Sequence, residues 1–398
     1  MDSASMIQNS WLDLGSISSY AVGPETNLTL STLSILIISV LILSIYMSFR
    51  LSILVGTLKL GIFYVYFAFL STAGWHVGGD GDHYLLSGLE LYHSGVDPLR
   101  IWFVGEGNYL LHQKTSNSIY VWLNMLAVYL FGQHFYSPIL LNVLFSVITA
   151  LAVYRISKLI GGSEMYAVLA SIFFLFHWTT IPWTTFLNLK EPLVSMLLML
   201  SLMWLIQIKR QPFVSTFGLL FSLLVMLRTR FYIPVLLVVA YFGNYVSIVL
   251  HNWYRSHKAP FALLLWSLGF ATILFIALVK YGNLVDEFVS LSQMPIGLAR
   301  MLLSPLPWQV SAEVDFLIVT NTLNWLLLPV TILGGVLLWK SSGAARLLVL
   351  LFLVGISFYA LVPVLASPRH RYPFQVVLIL FQYHAIFSLI KMSYKKNN

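Results

Sequence analysis

The stretch Leu30–Phe49, LSTLSILIISVLILSIYMSF, decides the fold, because it runs for a full membrane span without a charged side chain. An α-helix needs ~20 apolar residues to cross the ~30 Å hydrocarbon core of a bilayer. Similar stretches recur along the chain, and one of them, Ile53–Gly74, carries a single charge, Lys59. The others are Tyr136–Tyr154, Met165–Phe186, Pro192–Ile208, Pro212–Leu227, Phe231–Leu250, Ala259–Val279, Phe316–Trp339, Leu347–Ala366 and Tyr372–Ile390. We therefore expect an all-α polytopic integral membrane protein with about 11 transmembrane helices.

The overall composition supports the same class. Of 398 residues, 59% are hydrophobic and 9% are charged, and the mean hydropathy is +0.85. A soluble domain has about half apolar and a quarter charged residues. The absence of cysteine excludes disulfide and zinc–thiolate chemistry. We expect an extracytoplasmic N-terminal segment, residues 1–29, and a single transmembrane domain, residues 30–398.

The charges of the loops predict an orientation. One set of loops holds 12 basic residues and, with Lys59, 13 of the 22 Lys and Arg, but only one acid, Glu164. Cytoplasmic loops carry the Lys/Arg excess, so this set is predicted to be inside the plasma (inner) membrane, with the N-terminus outside and the C-terminus cytoplasmic. Lys59 lies close enough to the inner end of its span to snorkel. The basic residues of the set are Arg50, Arg155, Lys158, Lys209, Arg210, Arg255, Lys258, Lys340, Arg346, Lys391, Lys395 and Lys396.

Because these basic residues lie in short loops between apolar stretches, the pI of 9.4 reflects topology, and nucleic acid is not a predicted partner. The same topology requires residues 118–132 to lie in the interface or to re-enter rather than cross the membrane.

The largest predicted extracytoplasmic loop, residues 75–133, contains two carboxylates, Asp80 and Asp82, in a glycine-rich segment that runs from Gly78 to Tyr84. Two such carboxylates can bind a metal or act as a general base, and Asp82 can simply cap the helix that follows. Four histidines of the loop leave a divalent metal open as a cofactor, although they show no recognisable ligand spacing. They are His76, His83, His93 and His112. Amphipathic or interfacial helices are expected in this loop.

Two further groups of charges lie on the predicted outer side. Glu191 precedes Pro192, which suits the first turn of a helix, where a carboxylate is favoured by the helix dipole. The helix dipole explains Glu191 but does not explain Lys190, a basic residue on the predicted outer side. Arginine binds phosphate oxygens through a bidentate fork. Several basic residues lie on the predicted outer side, against the cytoplasmic Lys/Arg excess. Their presence there favours an anionic ligand over simple contact with lipid headgroups. They are Lys190, Arg228, Arg230, Arg300, Arg369 and Arg371, with His370 inside the last doublet.

The region from Gly79 to Leu205 resembles the polyprenyl-phosphate-dependent membrane glycosyltransferases of the GT-C type, the superfamily that includes protein O-mannosyltransferases. The matching segments occur in the family's order, although each is weak alone. They are Asp80–Leu86 with Gly95–Leu99, the apolar stretch Ile119–Gly132, the stretch Leu141–Arg155 with Gly161-Gly162, and Glu191 at the start of a helix.

The resemblance implies a GT-C-like fold and an inverting transfer of a sugar from a polyprenyl-phosphate donor to a glycan, lipid or protein acceptor, in cell-surface glycan assembly. By that resemblance Asp80 is the general base, and Tyr84 and Glu191 support it. Asp82 stands in for the family's neighbouring carboxylate, because this chain has Gly81 there.

Two alternatives stay open. One is an O-antigen-type polysaccharide polymerase or ligase, in which the arginines matter more than the carboxylates. The other is a lipid-linked-sugar flippase or transporter. Transporters carry ionisable residues near the membrane midplane, whereas the apolar stretches of this chain are almost free of charge. This class is therefore less favoured.

Overall fold

The structure is a computed structural model, and it describes residues 26–71, 80–95, 97–98, 118–256, 294–303, 316–361 and 368–397. In these residues the regular secondary structure is entirely helical. The helices, numbered here in chain order, are α1 Thr26–Ser44, α2 Phe49–Val65, α3 Asp80–His93, α4 Ser118–Phe131, α5 Tyr136–Leu159, α6 Glu164–Leu175, α7 Thr180–Thr185, α8 Glu191–Gln207, α9 Pro212–Thr229, α10 Tyr232–Ser256, α11 Met294–Leu303, α12 Phe316–Leu326, α13 Leu328–Ser341, α14 Gly343–Leu361 and α15 Pro368–Asn397. A π-helical segment, Tyr66–Leu70, continues α2.

Seven of the described helices are long and apolar enough to cross a membrane. They correspond to seven of the eleven predicted spans and comprise Asn27–Ser44, Phe49–Leu70, Tyr136–Leu159, Pro212–Thr229, Tyr232–Val249, Gly343–Ala360 and Arg371–Tyr394. The protein is therefore an α-helical polytopic membrane protein, while the exact number of eleven spans is not confirmed. The predicted span Ala259–Val279 lies outside the described residues.

The remaining three predicted spans differ from single long helices. Met165–Phe186 is broken between α6 and α7, because Pro182 cannot donate a hydrogen bond to a helix that continues from α6. Phe316–Trp339 is bent by 57° between α12 and α13, where Pro329 opens the second helix. Pro192–Ile208 forms α8, whose 17 residues span about 26 Å, slightly less than the hydrocarbon core.

The chain divides into two compact units. The first comprises Met1–Ala152 and Leu175–Met196, and the second comprises Val153–Phe174 and Leu197–Asn398. Each unit is described by itself below.

In the first unit, a buried apolar cluster joins α1, α2, α3, α4 and α5. Leu28, Phe63, Leu85, Val128 and Ile139 represent these five helices in it, each between 0% and 1% exposed. The two helices of the predicted loop, α3 and α4, have 14 residues each, so each rises about 21 Å and is too short to span the bilayer. They pack against each other, and each buries one face.

In the second unit, glycines allow close helix crossings. A Cβ at Gly334 of α13 would lie 1.9 Å from the carbonyl oxygen of Phe381 in α15, and one at Gly297 of α11 would lie 2.2 Å from that of Ala360 in α14. No side chain larger than hydrogen fits at either place.

Glu164, the single acid of the basic loop set, has partners in this unit. Its carboxylate accepts hydrogen bonds from Lys158 Nζ at 2.6 Å and from the Tyr154 hydroxyl. These two donors, Lys158 foremost, hold the pKa of Glu164 below its ordinary value. Glu164 therefore offsets local positive charge and does not contradict the charge pattern of the loops.

Candidate functional site

The first turn of α3 presents one carboxylate outward and one inward. Asp80 is the first residue of the helix and is exposed, whereas Asp82 is buried. The expected cap role for Asp82 is wrong, because Asp82 lies inside the first turn rather than before it. Tyr84, fully buried, donates its hydroxyl to Asp80 Oδ2 at 3.2 Å. This i,i+4 contact fixes the orientation of an accessible carboxylate.

Gly81 brings the second acidic segment to this turn. Asn188 donates from Nδ2 to the Gly81 carbonyl oxygen at 2.9 Å, across 107 residues of sequence. A Cβ at Gly81 would lie 2.9 Å from the Asn188 carbonyl oxygen, so a larger residue would push the two backbones apart. The close approach places Asp80 and Asp82 beside the segment that leads to Lys190 and Glu191.

Buried amides fix the segment before α8. Asn142 donates from Nδ2 to the carbonyl oxygens of Leu187, at 2.9 Å, and Leu189, at 3.0 Å. The Tyr120 hydroxyl donates to Asn188 Oδ1 at 2.9 Å, and Asn188 in turn donates to Asn124 Oδ1 at 2.8 Å. Fully satisfied polar networks of this kind hold one conformation in a low-dielectric interior.

Lys190 and Glu191 lie at the end of this segment, 4% and 0% exposed. Glu191 is the first residue of α8 and Pro192 the second, which confirms the predicted start of that helix. Charged side chains are rarely buried to this degree unless they are paired. One backbone contact, which we call the Gly81–Asn188 junction, thus joins the helical turn of Asp80, Asp82 and Tyr84 to the segment that leads to Lys190 and Glu191.

The arginine doublets belong to the second unit, at the ends of helices. Arg228 is exposed in the last turn of α9, and Arg230, which follows it, is 8% exposed. Arg230 donates from Nη1 to the Tyr232 hydroxyl at 3.1 Å, and the Tyr359 hydroxyl donates to the same oxygen at 3.3 Å.

The other doublet lies in the first turn of α15. Arg371 donates from Nη2 to Asn321 Oδ1 at 3.2 Å and lines a cavity of about 30 Å³ together with Tyr359, Gln375 and Gln382. Tyr359 therefore connects the surroundings of Arg230 to those of Arg371. Arg369 is half-buried, whereas the side chains of Arg300, in α11, and His370, in α15, lie outside the described parts of the chain.

An apolar groove of about 550 Å³ adjoins this cavity. Helices α11, α13, α14 and α15 form its walls, and it shares Leu302, Thr331 and Phe352 with the cavity. Its other lining residues include Gly335, Trp339 and Leu353, of which the last two are exposed. A polar, arginine-lined end and a long apolar end in one depression suit an amphiphile with an anionic head.

The histidines of the predicted loop do not form a metal cluster among the described residues. His83 and His93 are exposed on α3, and His76 and His112 lie outside the described residues. Among the residues that are described, no group of three or more His, Asp or Glu side chains is arranged to hold a metal ion.

Sequence reasoning missed the amides and one cation. Asn124, Asn142 and Asn188 were visible as polar residues in or beside apolar stretches, a signal that sequence analysis did not use. The snorkelling expectation for Lys59 is wrong, because its side chain is 1% exposed and its ammonium is bound inside the protein. Lys59 is the eleventh residue of the 22-residue candidate span Phe49–Leu70, so it lies near the middle of that span rather than at an end.

The fold and the burial pattern define the class of this protein as an α-helical polytopic membrane protein with two polar sites, the Gly81–Asn188 junction and the Arg371 cavity. Comparisons of the chain with models of known families, with curated proteins and with solved structures found no match.

Proposed function

We propose that this protein is a membrane glycosyltransferase of the GT-C type that moves a sugar from a polyprenyl-phosphate donor to an acceptor hydroxyl. The observation that carries the proposal is the exposed Asp80 carboxylate, which is oriented by Tyr84 in a turn that contacts Asn188, two residues before the buried Lys190 and Glu191. The reaction is assigned to the extracytoplasmic face of the plasma membrane, and its product enters cell-surface glycan or glycolipid assembly.

In the proposed reaction, Asp80 accepts the proton of the acceptor hydroxyl. The acceptor oxygen forms a bond to the anomeric carbon, and the bond between that carbon and the phosphate oxygen breaks with inversion. The phosphate leaves with the electron pair. A base must lie within hydrogen-bond reach of the proton it accepts, and an exposed carboxylate in a fixed orientation meets that requirement.

The second unit supports the lipid-phosphate part of the proposal. Arg371 at the polar cavity supplies a donor for a phosphate oxygen. The adjoining apolar groove accommodates a hydrocarbon chain. Among the described residues that line the cavity and the groove, none is acidic, so these residues do not repel an anionic head.

Asp80→Asn tests the general base directly. The amide keeps the size of the side chain and the hydrogen-bonding capacity of its oxygen, but it cannot accept a proton. We expect transfer to fall by at least about 10²-fold, the lower range for loss of general base catalysis, with insertion in the membrane unchanged. The measurement is mass spectrometry of lipid-linked and surface glycans in cells that lack the gene and carry each variant.

Glu90→Gln is the matched control. Glu90 is exposed on the same helix, so the substitution makes the same chemical change nearly three turns away, and we expect it to leave transfer unchanged. Full activity of Asp80→Asn would remove the base assignment, and equal loss in both variants would attribute the effect to the helix surface rather than to Asp80.

A second candidate function, an O-antigen-type polymerase or ligase, is favoured by the Arg371 cavity, since such a reaction relies on arginines. A transporter is favoured only by the burial of Lys59 near the middle of its span. The Lys59 ammonium donates hydrogen bonds to three oxygen atoms of the protein, so Lys59 is a fixed structural residue and not part of an open transport pathway.

A further inference from the structure

Lys59 is a buried cation that the proposed reaction does not use. Its ammonium donates to the hydroxyl oxygens of Thr184 and Thr185, each at 3.0 Å, and to the carbonyl oxygen of Leu175 at 3.4 Å. An ammonium group has three N–H donors and no acceptor. The three acceptors therefore match its full donor capacity within the first unit.

The hydroxyl protons of the two threonines have other acceptors. Thr184 Oγ1 donates to the Thr180 carbonyl oxygen at 2.7 Å, so its lone pairs face Lys59. Thr185 Oγ1 lies 3.4 Å from Thr184 Oγ1. Lys59 therefore binds both Leu175, the last residue of α6, and the last turn of α7 at Thr184 and Thr185.

The chain that follows α7 is held at each step until α8 begins. The Phe186 ring stacks on Tyr66 with centroids 4.1 Å apart, and Tyr66 opens the π-helical segment that continues the helix of Lys59. Asn142 then binds the carbonyls of Leu187 and Leu189, and Asn188 reaches Gly81. The residues from Thr184 to Glu191 therefore form one tethered segment whose first anchor is Lys59.

We propose that Lys59 is a positioning residue, which fixes the register of this tethered segment and so sets the Gly81–Asn188 junction. Its catalytic consequence rests on the proposed function, because the junction joins the turn of Asp80 to the segment that leads to Glu191. Directional hydrogen bonds select one rotation of α7 about its axis, whereas apolar packing alone permits several. Fixing a register is the best-attested role of a buried polar group.

The junction can be monitored without any enzymatic assay. The chain has no cysteine, so a single introduced thiol is a selective reporter. Leu187 lies in the tethered segment and is 5% exposed, and Leu187→Cys leaves both Gly81 and Asn188 unchanged. Because a buried thiol reacts only when its surroundings open, the rate of thiol labelling in detergent reports how firmly the segment is held.

Lys59→Met in the reporter background is the test. Methionine fills a similar volume, and the two threonine hydroxyls keep acceptors of their own, so no buried donor is stranded. We expect thiol labelling to be about tenfold faster than in the reporter alone, because the segment opens more often once the hydrogen bonds of the buried charge are lost. Lys340→Met, at an exposed lysine, is the matched control and should leave the rate unchanged.

A second variant separates hydrogen bonding from packing. The triple change Lys59→Met, Thr184→Val and Thr185→Val replaces the whole cluster by apolar groups of similar volume, an exchange that buried polar clusters often tolerate. Each reporter is first checked for monodisperse elution in detergent. Faster labelling in both the single and the triple variant than in the reporter alone supports the positioning role. Labelling at the reporter's own rate in either variant overturns it.

Activity supplies the last readout. In the chain without the reporter cysteine, we expect Lys59→Met to lower kcat for transfer from a polyprenyl-phosphate sugar while the KM for that donor stays the same, because geometry changes and binding contacts do not. An equal rise in KM would point to general loosening and would count against positioning. If the wild-type chain transfers no sugar, the proposed function fails, yet the thiol-labelling rates still decide the role of Lys59.

Discussion

A single amide group, that of Asn188, joins two acidic segments that are far apart in sequence. Its Nδ2 donates to Gly81 and to Asn124, and its Oδ1 accepts from Tyr120. Three of its hydrogen-bonding positions are therefore used, and the residue is only 2% exposed. Loss of one partner in such a network leaves the others buried and unsatisfied.

Asn188→Leu should therefore destabilise the protein strongly. Leucine keeps the volume but removes the donor to Asn124 Oδ1 and the acceptor of the Tyr120 hydroxyl, at a cost of about 1–3 kcal/mol. Asn244→Leu is the control, because Asn244 is also buried but its Oδ1 accepts no hydrogen bond from the described residues. Apparent Tm in detergent measures the effect. Equal Tm values for the two variants would show that the Asn188 amide contributes no more to stability than the Asn244 amide does.

Some contacts of the junction can be predicted from the local sequence, and others cannot. The spacing of Asp80 and Tyr84 on a helix is readable from sequence, because residues four apart share a helix face. The choice of Asn188 as partner for Gly81 is not, since it depends on which backbones approach closely after the whole unit has packed.

At the scale of elements, the crossing of α3 and α4 carries the turn that holds Asp80. A Cβ at Gly88 of α3 would lie 2.9 Å from both Asn124 Cβ and Met125 N of α4. The helices therefore touch through backbone at this point. Because α4 also supplies Tyr120 and Asn124 to the junction, the crossing distance affects the site as well as stability.

Gly88→Ala should lower stability by about 1–3 kcal/mol, the usual cost of overpacking. Gly61→Ala is the matched control, because a Cβ at Gly61 in α2 meets nothing within 4 Å, and alanine there should stabilise the helix by up to about 1 kcal/mol. Apparent Tm values should therefore move in opposite directions. A shift in the same direction for both would show that helix propensity, not the α3–α4 crossing, dominates.

Prolines explain why the predicted elements were only partly right. Hydropathy identified the apolar stretches but treated Met165–Phe186 and Phe316–Trp339 as single helices. The breaks occur near Pro182 and Pro329, which remove backbone donors. A short α7 ends where Lys59 binds it, so the break itself creates the anchor for the tethered segment.

For the whole molecule, the surface is apolar where a soluble protein would be polar. Helix α9 exposes Phe213, Phe217 and Leu224 at 90%, 76% and 63%, and α1 likewise exposes Leu30 and Ile37. Such surfaces suit lipid as solvent. Among the described residues, buried polar groups include those of the Gly81–Asn188 junction and of the Lys59 cluster in one unit and those of the Arg371 cavity in the other.

The relative importance of these two sites separates the leading function from the polymerase alternative. A glycosyltransferase with a carboxylate base should lose transfer with Asp80→Asn and lose about 10²-fold with Arg371→Gln, the usual cost of removing one donor to developing charge. A polymerase or ligase should show the reverse, with Arg371→Gln the more damaging change. Arg346→Gln, at a partly buried arginine of the same unit, is the control, and the readout is the chain length and amount of surface glycan.

The sequence by itself determined that this is a polytopic helical membrane protein, because apolar stretches of spanning length follow from residue type alone. It also identified the unusual charges, since a few polar residues stand out in an apolar chain. Tertiary structure alone decided that Gly81 meets Asn188, that Lys59 is bound inside the first unit, and that Arg230 and Arg371 are linked through Tyr232 and Tyr359. Those contacts join distant segments, and they depend on close packing and on satisfying buried hydrogen bonds, which local sequence patterns do not encode.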